Sequence, residues 1–386
     1  MAADKNNKIV VTCSKGIAPF LREELLSLGC RVISETVSGV IVEGAAADVM
    51  KLNLHLRTGH RVLLHIADFQ APGPDELYRE IFCINWEDYI NEVGYVCVES
   101  SVENPAIRDS RFANMRCKDA VVDRIKSMKG RRPDSGPERN RSVVYLYWRG
   151  SACSVYLNTS GEPLSKRGYR KIPSTAPLQE TLAAALIMAG AWKRDLNFVN
   201  PMCGSGTLAV EAALIGLNRA PGLLRGDFGF MHLKGFDEEA WKKLRQEARA
   251  ASVKSLKGRI IATDIRPEAV EAARKNAATA GVDHLIEFGV CDYADTPVPE
   301  GGGVVILNPG YGERMGSSEE LEVVYKGIGD FFKQKCRGYK GYIFTGNPAL
   351  GKKVGLKASR KIPFFNSTIE CRLLEYELYE GTRKSS

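Results

Sequence analysis

From Lys8 onward the chain sorts its apolar positions into short runs that read alternately as strand and helix. The first 45 residues give strand, helix, strand, strand: "KIVVTCS", "GIAPFLREELLSLGC" and "RVISETVSGVIVEG". Gly29 closes the helix and Ser38-Gly39 turns between two β-branched runs. Helical "AAADVMKLNLHLRTGHRVLLHIADF" then passes into a strand, and the Pro/Gly turn "APGPDEL" leads a further helix towards Trp86. Next come the strand "YVCVESSV", the basic amphipathic helix "DSRFANMRCKDAVVDRIKSMKG" and a hairpin turning at Arg149-Gly150. This mixture predicts an α+β region. From about Thr159 the character changes. "GEPLSKRGYRKIPSTAP" is polar and basic, and β and α segments alternate regularly beyond it, through "LNFVNP", "RIIATDI", "IEFGVCDY", "GVVILNP" and "GYIFTGN" to a terminal strand pair. Regular alternation predicts an α/β domain with a mostly parallel, doubly wound sheet. The segments expected are 1–45, 46–158, a basic linker 159–171, and 172–386.

Composition narrows the class. At 386 residues and 44% hydrophobic the chain has the length and apolar content of two or three globular domains. No run approaches the roughly 18 to 20 apolar residues a bilayer span needs. The polar start, "MAADKNNKIV", gives no signal peptide, so the expectation is a cytoplasmic protein without membrane contact. Ten cysteines without a C-x-x-C pair read as reduced thiols. His55, His60 and His65, five apart, point to different sides of a helix, and no metal is expected. Charge adds a partner. Of the net +8, a local +6 falls between Arg108 and Arg141, where eleven Lys/Arg face five Asp/Glu. Such clustering points to a polyanion, RNA or DNA.

The chemistry concentrates at strand ends. Gly204-x-Gly206 lies between a strand and a helix, where glycines let backbone approach a ligand and free N–H groups favour anionic atoms. The next strand ends in Asp264, suited to accept both protons of a ribose diol. It lies 58 residues beyond Gly206, past the insertion "GDFGFMHLKGFDEEAWKKLRQEARAAS", whereas a nicotinamide enzyme places its acid about 20 residues on. Asp292 ends the strand after that and can accept from an adenine amino group. Together they outline a pocket for an adenosine bearing an amino-acid tail. The following strand ends in Asn308-Pro309-Gly310-Tyr311. The Asn308 side-chain carbonyl and the Pro309 main-chain carbonyl can both accept from one exocyclic NH₂, and Tyr311 offers a face for a flipped-out base.

The stretches "PLSKRGYR", "APLQETLAAAL", "NPMCGSGTLAVEAALIGLNRAPG", "TDIRPEAVEAARKNAATAG", "CDYAD", "NPGYGERMG" and "KIPFFNSTIECRLLEYEL" span Gly161 to Leu378 in order. In these the chain resembles the THUMP-domain guanine-N2 methyltransferases that modify bacterial 23S rRNA, of the RlmL type. The resemblance implies a Rossmann-like class I methyltransferase domain preceded by an α+β ferredoxin-like/THUMP RNA-binding module. It implies S-adenosylmethionine (SAM) as methyl donor, with S-adenosylhomocysteine as product. Asn200, Met202, Cys203, Gly204, Ser205, Gly206 and Thr207 would cradle the methionine end. Asp264 with Ile265 would hold the ribose and Asp292 with Tyr293 the adenine. Asn308, Pro309 and Tyr311 would be catalytic, and Arg131, Arg132, Lys166, Arg167, Arg170 and Arg314 would bind RNA. Two positions depart from the family pattern: Asn200 stands where an Asp usually opens the glycine-loop motif, and Gly310 replaces the second proline of N-P-P-Y.

The expected function is thus SAM-dependent N2-methylation of a guanine in RNA, 23S rRNA first, by a protein taken as a monomer. Two rivals stand beside it: a tRNA guanine-N2 methyltransferase, and a non-catalytic RNA-binding ribosome-assembly factor with a vestigial methyltransferase fold. An NAD-linked oxidoreductase would account for the glycines but not for Asp264 or N-P-x-Y.

Overall fold

The computed structural model describes residues 8–172, 178–310 and 318–379. Two compact units emerge. The first comprises residues 1–13, 21–164 and 225–247; the second comprises 14–20, 165–224 and 248–386.

The first unit is built on one mixed eight-stranded sheet. Its strands are β1 (Lys8–Thr12), β2 (Arg31–Thr36), β3 (Gly39–Glu43), β4 (Arg61–Gln70), β5 (Tyr95–Glu103), β6 (Asp134–Ser135), β7 (Ser142–Arg149) and β8 (Ala152–Asn158). They lie in the order β2-β3-β1-β4-β8-β7-β5-β6. The β7–β8 hairpin turns at Arg149 and Gly150 as the sequence predicts, and β4 joins it to the N-terminal strands by pairing with both β1 and β8. The helices are α1 (Ala18–Ser27), α2 (Ala46–His55), α3 (Pro74–Cys83) and α4 (Ser110–Lys129). Asp109 caps α4 by accepting from the Arg111 N–H at 2.9 Å, and Gly130 ends it in a left-handed conformation. The insertion between the glycine loop and Asp264 is part of this unit: the Phe230 N–H donates to the Thr159 carbonyl at 2.9 Å, and Arg225 donates to the Ser160 and Glu162 carbonyls at 3.0 Å.

The second unit carries a seven-stranded sheet of β9 (Asn197–Pro201), β10 (Ile260–Asp264), β11 (Ile286–Val290), β12 (Gly303–Leu307), β13 (Tyr339–Thr345), β14 (Arg360–Asn366) and β15 (Ile369–Glu377). The order is β11-β10-β9-β12-β13-β15-β14. The five strands from β9 to β13 run parallel, and β15 is antiparallel to both β13 and β14. β9 and β10 are buried at every position, as both-sides-covered parallel strands require. The helices are α5 (Glu180–Ala189), α6 (Thr207–Gly216), α8 (Pro267–Ala280), α9 (Ser318–Lys335) and α10 (Pro348–Lys353), while α7 (Glu238–Ala250) falls mostly in the first unit. α5 and α6 are apolar nearly all round and correspondingly buried. The core gathers Val199, Val305, Leu307, Tyr325, Ile328 and Phe332. No described helix is long and apolar enough to cross a membrane.

Candidate functional site

The strand order places the C-terminal ends of β11, β10, β9 and β12 side by side. The chemistry-bearing residues stand on those ends, at the point where the strand order reverses, the usual location of a ligand crevice in an open α/β sheet. From β9 the chain enters the glycine loop through Met202, a non-glycine residue held at φ 55°. Backbone strain of this kind collects at functional sites. The loop closes with the Gly206 N–H donating to the Cys203 carbonyl at 2.9 Å, and Thr207 opens α6. Gly206 is left-handed at φ 80°, and a Cβ added there would sit 2.8 Å from Ala273 of α8. Gly204, at φ 54°, is different: a Cβ there would meet nothing within 4 Å, so this part of the loop faces open space.

Asp264 is fastened to that loop. Its Oδ2 accepts from the Gly204 N–H at 2.9 Å, and its Oδ1 accepts from the Arg266 N–H at 3.1 Å and Nε at 3.2 Å. Its neighbour Ile265 is 63% exposed, an aliphatic surface left open at the end of β10. Asp292 accepts from the Ala294 N–H at 2.9 Å, and Tyr293 donates to the Val324 carbonyl at 3.3 Å. Burial raises the Tyr293 phenol pKa, with Asp292 and Asp330 adding to it. Burial also pushes the Cys203 thiol up to about 12, helped by the Asp264 charge, so Cys203 is a packed thiol and not a nucleophile.

Two carboxamide oxygens stand out. Asn200, 1% exposed, donates from Nδ2 to the Ile306 carbonyl at 2.9 Å, tying β9 to β12. Its Oδ1 is buried and has no partner among the described residues. The Oδ1 of Asn308, just past β12, is in the same condition, and Pro309 beside it is buried. A buried unsatisfied acceptor costs about 1 to 3 kcal/mol, so two at adjacent strand ends mark places where donors belong. Tyr311 and Arg314 lie outside the described residues.

The RNA-binding expectation changes in the linker. Lys166 is exposed, but Arg167 is 2% exposed and turned inward. Its Nε lies 3.6 Å from Glu211 of α6, which is fully buried and also accepts from the Tyr169 hydroxyl at 3.0 Å. Arg170 pairs with Glu180 of α5 at 2.9 Å and donates to the Thr207 hydroxyl at 3.1 Å. Two all-buried helices each carry one glutamate, and a buried carboxylate needs a counter-charge. Arg167 and Arg170 supply it, which takes both away from a phosphate backbone. Arg131 and Arg132 belong to the first unit, where Arg131 is exposed and Arg132 pairs with Asp119 at 3.4 Å. Asn276 of α8 is a site residue that sequence reasoning missed. It donates to the Ser205 carbonyl at 3.1 Å and accepts from the Lys171 N–H at 3.0 Å, joining glycine loop to linker. Its only signal was membership of the stretch "TDIRPEAVEAARKNAATAG". No group of His, Cys, Asp and Glu able to hold a metal occurs among the described residues.

Comparison with known proteins decides the family. Residues 167–375 match the family described as RMKL-like, methyltransferase domain, and residues 8–63 the RlmL ferredoxin-like domain. The chain belongs to the RMKL-like methyltransferase family. It is 37% identical, over 97% of its length, to the Syntrophotalea carbinolica ribosomal RNA large subunit methyltransferase K/L. The chain spans about half the length of that relative, 54%. A Synechocystis sp. protein, slr0064, provisionally named an RNA methyltransferase, is 34% identical over 95% of the chain and 96% of its own. Among solved structures the chain is similar to SMU.472, provisionally a methyltransferase and complexed with SAH, at TM-score 0.90 and 28% identity, covering 98% of this chain and 100% of that one.

Proposed function

We propose that the protein is a SAM-dependent RNA methyltransferase that methylates the exocyclic N2 of a flipped-out guanine, in 23S rRNA first. The observation that carries this reading is the buried Oδ1 of Asn308, unclaimed among the described residues, at the end of β12 beside the glycine loop and Asp264. The cofactor has features to meet. The open space at Gly204 and the Oδ1 of Asn200, unpartnered among the described residues, suit an amino-acid tail with its ammonium. Asp264 keeps one acceptor site, on Oδ2, for a ribose hydroxyl, and Ile265 offers a flat aliphatic surface to a purine, with Asp292 at its edge. The complex of SMU.472 with SAH and the family membership support the same cofactor here. Bound SAM supplies an electrophilic methyl for in-line attack by the target amine.

The remaining work falls to the chain. The Asn308 Oδ1 and the Pro309 carbonyl accept from the amine's two hydrogens, which draws its lone pair out of conjugation and aims it. Tyr311 stacks on the base, a contact worth roughly 1 to 3 kcal/mol. No strong base is needed, because the amino proton becomes acidic once methylated and water takes it. Catalysis then rests on positioning and on carbonyl dipoles set in advance. The experiment is transfer of labelled methyl from SAM to protein-free, unmodified 23S rRNA, followed by nucleoside analysis. N2-methylguanosine is the expected product. Label on tRNA alone would move the substrate, and no SAM binding at all would leave an assembly factor. Tyr311→Ala is expected to keep SAM affinity and lose transfer; equal loss of both would make the tyrosine structural.

A further inference from the structure

A second cavity opens in the same unit, apart from the glycine loop. Its volume is about 740 Å³, within the size range of small-molecule sites. It lies where β13 ends at Thr345 and Gly346, between α10 and the β14–β15 pair. Lys352, Lys357, Lys361 and Arg372 line it, against one carboxylate, Glu370. Glu370 lies 3.4 Å from Arg372, which leaves three lysines that pair with no acid among the described residues. Leu356 and Leu374 also line it, so the cationic groups surround an apolar floor.

Position ties this cavity to the target base. β12 and β13 are parallel neighbours with Leu307 opposite Ile343, so both chains leave the sheet on the same edge. Asn308-Pro309 continue the one as Phe344-Thr345 continue the other, on strands about 4.8 Å apart. We infer that this cavity binds the RNA strand next to the methylated nucleotide, with the three lysines on its phosphates and the apolar floor under a neighbouring base. A flipped nucleotide keeps its backbone on both sides, and those phosphates must lie within a few residues of the catalytic strand end. Three unpaired cations over apolar surface are what a single strand requires. The inference rests on the assignment of Asn308 and Pro309 to the target amine.

The test is a Lys352→Ala/Lys357→Ala/Lys361→Ala variant, all three side chains being exposed. Its affinity for a short fluorescein-labelled single-stranded RNA is measured by anisotropy over a salt series, with SAM binding followed by calorimetry. Losing three phosphate contacts should flatten the log–log salt slope by about 2 and weaken RNA binding about tenfold or more at physiological salt. SAM affinity should be unchanged, and the loss should appear in the KM for RNA and not in kcat. Lys353→Ala, on the same helix but held by Glu322 at 2.8 Å, serves as control and should keep the wild-type slope. An unchanged slope and affinity in the triple variant would overturn the inference, even with methyl transfer intact. If the wild type transfers no methyl yet the triple variant loses RNA, the cavity stands as an RNA-binding surface, while the proposed reaction and the cavity's place beside a methylated nucleotide fall.

Discussion

At Asn200 the two ends of one carboxamide have separate tasks. Nδ2 holds β12 through the Ile306 carbonyl, and Oδ1 is left for a donor. Asn200→Asp would restore the family's residue but turn a donor into a second acceptor facing that carbonyl. Leaving the carbonyl unsatisfied should cost about 1 to 3 kcal/mol. Thermal denaturation should therefore show a lower Tm, while calorimetry shows tighter SAM binding, since a charged acceptor roughly doubles the strength of a bond to ammonium. A variant with unchanged Tm would mean that the Ile306 contact is dispensable. The sequence showed Asn200 as a departure from a pattern, because the motif around it is local. It could not show why an amide suits the position, because Ile306 lies 106 residues away. Cys203 offers a second test. With its thiol pushed up to about 12 and buried, it should resist iodoacetamide at pH 8 in the native protein, while exposed Cys83 reacts. Peptide mass spectrometry reads both sites at once.

At the scale of elements, the alternating strands and helices were legible because each periodic run is decided by neighbours in sequence. β9 to β15 fall on the apolar runs that predicted them. The six-residue α10 went unseen, being too short to show a period. The linker was misjudged for a different reason. Read locally, "SKRGYR" is a basic, solvent-facing string; its partners are Glu211 and Glu180, on helices whose burial only the fold reveals. Arg167→Ala should therefore act on stability, costing about 3 to 5 kcal/mol by leaving Glu211 buried and poorly compensated. Chemical denaturation is the measurement. Lys166→Ala, on an exposed side chain whose contacts are worth at most about 1 kcal/mol, should shift the unfolding midpoint far less. A destabilised Lys166 variant beside an unaffected Arg167 variant would reverse the assignment.

For the whole molecule, buried thiols set an alkaline limit. Burial raises Cys13, Cys153, Cys203 and Cys336 from about 9 to about 12 and Cys97 to about 11. As pH rises past 9 the unfolded chain loses these protons first, so the native state holds more of them and stability falls until the folded values are passed. The Tm should drop between pH 8 and pH 10.5 at matched ionic strength, and Cys336→Ala should lessen the drop. An unchanged Tm would contradict the sign. The sequence foretold free thiols from their spacing, but which were buried depended on strands and helices meeting across the chain.

The first unit is finished only by residues 225–247, which the ribosome makes after residues 165–224 of the second unit have already emerged. At 5 to 20 residues per second, the roughly 80 residues from Leu164 to Glu247 take about 4 to 16 s to synthesise. Through that interval the nascent eight-stranded sheet waits for the Phe230 and Arg225 contacts at the end of β8. Those seconds are a window in which a chaperone would find its surface open.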